Sequence, residues 1–105
     1  MANGRVYLSS SAEVGRRLSL LPLIFDRTIA AICRDAGIQA NAWSNWTAAR
    51  STRPNLESAI ALAETLGLTL DWIYRGREDG LDTVIRDRLS SQRRRVTLRR
   101  QRRSA

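Results

Sequence analysis

The stretch from Gln39 to Ala48 interleaves two tryptophans, Trp43 and Trp46, with Ala40, Asn41, Ser44, Asn45 and Ala48. On a helix, spacing of this kind turns the indoles to one side and leaves the short, uncharged side chains on the other, with Gln39 at the start. Those side chains suit the edges of base pairs. Asn and Gln bond bidentately to adenine, a Ser hydroxyl meets either base type, and an Ala methyl packs on the thymine methyl. A merely solvated helix face more often carries Lys and Glu. Trp43 and Trp46 read as core residues of the same helix rather than as stacking platforms for bases.

A second chemistry lies in the arginines. All 18 basic residues are Arg, giving a net charge of +8. Residues 1–90 hold 11 of them against 10 acidic residues, whereas residues 91–105 hold Arg93, Arg94, Arg95, Arg99, Arg100, Arg102 and Arg103 with no acid. Guanidinium pairs bidentately with phosphate and stays charged at any physiological pH, so this arm attracts nucleic acid by counterion release, without regard to sequence. The plainer reading of such a run is a solubilising end.

Other chemistries fall away on composition. The 105 residues include no His and a single Cys, Cys33, which removes zinc fingers, Ser-His-Asp triads and internal disulfides. Nothing assembles a general acid or base, a phosphate loop or a metal set, so neither an enzyme nor a cofactor is expected. Cys33 reads as a small packing residue. A lone thiol fits a reducing compartment, the first residues make a poor secretory signal, and no apolar run approaches the roughly 18 residues of a membrane span. The expected location is cytoplasmic and nucleoid-associated, with no membrane partner.

These groups need elements to hold them. Ser10 and Glu13 have the form of a capping box, followed by Val14, Leu18 and Leu21 on one helical face. Pro22 predicts a bend or break over residues 22–27. Thr28 caps a second helix with Ile29, Ile32, Cys33 and Ala36 on its apolar stripe, and Gly37 stops it. The Trp43 segment is the third helix. Residues 48–54 read as a polar loop, after which Asn55 caps a fourth helix with Leu56, Ala59, Ile60, Ala63 and Leu66 as its stripe, ending at Gly67. Thr69 caps a short fifth helix closing at Gly76, and Leu81, Val84, Ile85 and Leu89 sketch one further amphipathic helix. The expected division is a flexible start over 1–12, a domain over 13–76, an amphipathic helix over 77–90 and an arginine-rich tail over 91–105.

The run T-I-A-A-I-C-R-D-A-G-I over residues 28–38 joins W-S-N-W over 43–46 and P-N-L-E-S-A-I-A-L-A-E-T-L-G-L-T-L-D-W-I over 54–73. Together they resemble the lambda-repressor-like, or XRE-type, helix-turn-helix family across residues 13–76. The resemblance implies an all-α, five-helix lambda-repressor-like bundle, here with an extra C-terminal helix and a basic tail. It also implies a sequence-specific regulator of transcription, a repressor, acting as a homodimer on double-stranded DNA. The family's base-reading positions fall on Ala40, Asn41, Ser44 and Asn45, with Gln39 at the start of the recognition helix. Its phosphate contacts fall on Thr28, Arg50 and Arg53, to which the tail adds Arg93, Arg94 and Arg95. The chain departs from the family at Ile29, where a phosphate-binding Gln is common, and at Thr47, Ala49 and Pro22. Two other readings use the same scaffold: an antitoxin or adaptor that binds a protein partner through the C-terminal helix, and an RNA binder working through the arginine tail.

Overall fold

Side-chain caps set where the helices begin. In the structure, a computed structural model that describes residues 8–104, Ser10 opens α1 (Ser11–Ser19) with a reciprocal capping box. The Glu13 N–H donates to the Ser10 hydroxyl at 3.2 Å, and the Ser10 N–H donates to the Glu13 carboxylate at 3.0 Å. The Thr28 hydroxyl accepts from the Ala31 N–H at 3.1 Å at the head of α3 (Ile29–Ala36), and Asn55 does the same for the Ser58 N–H at 2.8 Å at the head of α5 (Leu56–Leu66). Thr69 caps α6 (Leu70–Arg75) through the Trp72 N–H at 3.1 Å. Each bond satisfies one of the amide donors that a helix start otherwise leaves without a partner. Gly37, Gly67 and Gly76 end α3, α5 and α6 in the left-handed conformation, which costs glycine little.

The first helix is interrupted as expected, but just ahead of Pro22 rather than over residues 22–27. The chain turns at Leu20 and at once starts a short helix, α2 (Leu21–Phe25), with Pro22 in its first turn, where the missing N–H had no partner to lose. Asp26, at φ 51°, closes α2, and the Arg88 guanidinium donates to the freed Ile24 carbonyl at 3.1 Å.

The last helix corrects a boundary. It does not start at residue 77: residues 76–82 form a loop, the Val84 N–H donates to the Asp82 carboxylate at 2.8 Å, and α7 runs over Thr83–Ser104. Nor does it end at Leu89 with the apolar stripe. Arginine is a good helix former and neither Gly nor Pro interrupts the run, so the backbone stays helical through Arg93, Arg94 and Arg95. At the other end, residues 1–7 of the expected flexible start lie outside the described residues. Ser9 and Ser11 are tied down: the Ser9 N–H donates to the Tyr74 carbonyl at 2.7 Å and the Ser11 hydroxyl to the Arg50 carbonyl at 2.8 Å.

The protein is all-helical over the described residues, with α1 packed against α2, α4 (Ala40–Thr47) and α6. α3 joins α4 and α5, α5 meets α6, and α7 rests on α2. One core unites Val14, Leu18, Leu21, Ile32, Cys33, Trp43, Trp46, Leu62, Trp72 and Ile73 with Leu81 of the loop before α7 and with Ile85 and Leu89 of α7. Full burial of each large aliphatic side chain stabilises by about 1.5–3 kcal/mol. The α5 stripe is rotated from the expected one: Ala59, Leu62 and Leu66 are buried, while Leu56 and Ile60 are exposed, as is Ile29 on α3. Among the described residues no helix is long and apolar enough to cross a membrane.

Candidate nucleic-acid interface

The position of α4 is fixed by what lies beneath it. Trp43 and Trp46 are 2% and 5% exposed, their rings 6.3 Å apart and tilted by 60°, and they enter the core beside Ile32 and Cys33 of α3. Below the C-terminal half of α4, α1 presents Gly15. A Cβ at Gly15 would lie 2.1 Å from the Trp46 carbonyl oxygen, so only glycine permits this approach. The sequence holds the signal for it, a glycine inside a helical pattern, since such a residue commonly marks close backbone contact.

With its indoles buried, α4 shows solvent the opposite face. Ala40, Asn41, Ser44, Asn45 and Ala48 are all exposed, and Gln39 is exposed at the N-cap. The expected base-reading residues are therefore brought together on one short helix, and that exposed face carries no charged side chain. Gln39 makes no side-chain bond to the first turn of α4, in contrast to the caps of α1, α3, α5 and α6.

The loop after α4 is stitched to the rest of the molecule. Arg50 adopts φ 55°, and its Nε donates to the Thr47 carbonyl at 3.0 Å, closing the end of α4. Arg53 Nε donates to the Ser9 carbonyl at 2.7 Å, and the Tyr74 hydroxyl donates to the Pro54 carbonyl at 2.8 Å. Both arginines thus spend one donor internally, and each guanidinium has others for a ligand. Thr28 spends its hydroxyl oxygen on the α3 cap while its proton stays available to donate.

The arginines of α7 stand apart from this face. α7 packs against α2, and α4 against α1 and α3. Arg93 pairs with Glu78 at 3.0 Å, Arg94 donates to the Ser91 hydroxyl at 3.1 Å, and Arg95 lines a cleft between α2 and α7. Ion pairs elsewhere, such as Arg27 with Asp35 at 3.3 Å, lie at the surface and contribute little.

Titration tracks the same packing. Burial pushes the Cys33 thiol and the Tyr74 hydroxyl up, and burial lowers Arg17. Among the described residues no cluster of His, Cys, Asp or Glu could hold a metal ion. Comparison of the chain with family models, with curated proteins and with solved structures gives no significant match.

Proposed function

We propose that the protein is a sequence-specific double-stranded DNA-binding regulator that inserts α4 into the major groove and represses transcription by occupying an operator. One observation carries this reading. α4 buries both indoles and exposes Asn41, Ser44 and Asn45 on an uncharged face. An α-helix with its side chains is about 10–12 Å across, which fits a major groove about 12 Å wide. In this proposal Gln39, Ala40, Asn41, Ser44 and Asn45 test base edges, Thr28, Arg50 and Arg53 set the register on the backbone, and the arginines of α7 add affinity without sequence information. α3, the Gly37 turn and α4 then act as a lambda-repressor-like helix-turn-helix, and a homodimer places two α4 helices about 34 Å apart on a palindromic site.

The test is selection of binding sites from a random duplex pool by the full chain at about 150 mM salt, where surface charge is realistically screened. Enrichment of a motif supports the reading, and a palindromic one supports the dimer. Retention of duplex with no motif would overturn it, and competition by structured RNA would then decide for or against an RNA-binding role.

A further inference from the structure

A second basic site lies on α1, among residues for which the base-reading proposal has no use. Glu13, Arg16, Arg17, Leu20 and Arg50 line a cleft between α1 and the loop that follows α4. Three arginines and one glutamate share that lining, and the Glu13 carboxylate accepts the Ser10 N–H at 3.0 Å. Arg50 is held at Nε by the Thr47 carbonyl. Arg17 donates through Nη2 to the Ser9 hydroxyl, packs against Gly76, and has a buried Nε with no hydrogen-bond partner. Arg16 is exposed and makes no ion pair or hydrogen bond among the described residues. The lining carries more positive than negative charge, and the exposed Arg16 guanidinium has every donor open to an anion.

The location says which anion. Gly15, the residue next to Arg16, touches both the Trp46 carbonyl and the Arg50 side chain, which puts the cleft beside the C-terminal end of α4. A helix lying in a major groove is flanked by phosphodiester backbone, so groups beside it come near phosphate. We propose that Arg16 and Arg50 together hold one backbone phosphate of the bound duplex, with Arg17 adding positive charge beside it. The proposal rests on the duplex-binding reading. It adds Arg16 and Arg17, which sequence reasoning did not nominate, because a clamp across two elements leaves no local spacing to read.

The experiment measures affinity of the full chain for the selected duplex and for a random duplex across a salt series, for wild type, Arg16→Ala, Arg16→Lys and Arg77→Ala. Arg16 is exposed, so its variants fold, and thermal melts check that. Arg77 is a nearby arginine already paired with Asp79 at 3.0 Å. Arg16→Ala is expected to weaken both duplexes by the same factor and to reduce the slope of log K against log salt by about 1, with Arg16→Lys keeping most of the slope and Arg77→Ala leaving it unchanged. An unchanged slope in Arg16→Ala overturns the proposal. A parallel melt in inorganic phosphate, against chloride of equal ionic strength, separates the two sources of the anion. If phosphate stabilises the wild type but not Arg16→Ala while the duplex slope stays put, the cleft holds a free anion and the duplex assignment fails. If site selection yields no motif and the slope still falls, the cleft stands and base reading by α4 is what fails.

Discussion

Gly15→Ala separates helix propensity from packing, because the two predict opposite signs. In a helix interior Ala is favoured over Gly by about 1 kcal/mol, so propensity alone predicts a more stable protein. The structure puts the new methyl 2.1 Å from the Trp46 carbonyl oxygen and 2.9 Å from Arg50 Cγ. An unstrained carbon-to-oxygen contact is about 3.3 Å, so α1 and α4 have to separate by roughly 1 Å. The obstacle is backbone, not the free end of a side chain, and Trp43 and Trp46 fill the space behind it. Overpacking of this kind costs about 1–3 kcal/mol. Taking the upper end against the propensity gain leaves a net loss of about 2 kcal/mol, a fall in Tm of roughly 8–16 °C for a domain of this size. Circular dichroism melts of wild type and Gly15→Ala decide it, and a variant as stable as wild type, or more so, refutes the close approach of α1 to α4.

Asn41→Ala and Asn45→Ala are each expected to cost about 1–3 kcal/mol of discrimination between the selected duplex and a single-base variant; because both side chains are exposed, melts should shift by less than about 0.5 kcal/mol. Removing residues 91–105 should weaken all duplexes alike and flatten the salt dependence, so a changed sequence preference in the truncated chain would contradict the assigned division of labour. Glu13 is held below its ordinary value of 4.5 by the Ser10 N–H first, then by the Ser10 hydroxyl and the charges of Arg17 and Arg16. A depressed folded value gives stability that is present above 4.5 and lost as pH falls through the folded value, so the Tm gap between wild type and Glu13→Gln should be open at pH 7 and close in acid.

Helix starts and stops were legible because they are local. Ser10, Thr28, Asn55 and Thr69 each bond an amide three residues on, and Gly37, Gly67 and Gly76 end their helices at the next position. The exposed face of α4 was legible for a related reason, since two tryptophans three apart fix which side goes inward. Burial on α5 was not. Leu56 and Ile60 satisfy helical periodicity as well as Leu62 does, and only the position of α3 and α6 decides that Leu62 is buried and they are not. Gly15 and Arg17 were missed because each acts across elements, Gly15 against Trp46 and Arg17 against Ser9 and Gly76. The end of α7 was misplaced because the apolar stripe stops at Leu89 while the helical backbone, which arginine tolerates well, does not.

The separation of charge from polar contact has a consequence for how a duplex would be engaged. Amide and hydroxyl groups act over hydrogen-bond distances, about 3 Å, so the exposed face of α4 exerts almost no pull on a duplex that is not already seated. Arginines reach further, to about 8 Å at physiological ionic strength, and in this protein α4 carries none of them. On the proposed function, capture and reading then belong to different elements. Changing salt should alter how much DNA is held without altering which sequence is preferred, whereas changing Asn41 or Asn45 should do the reverse. A face that mixed arginine with asparagine would couple the two, because an arginine there feels backbone phosphate as well as base edges. α4 avoids that by being held in place through its buried indoles and the Gly15 contact, not through charges of its own.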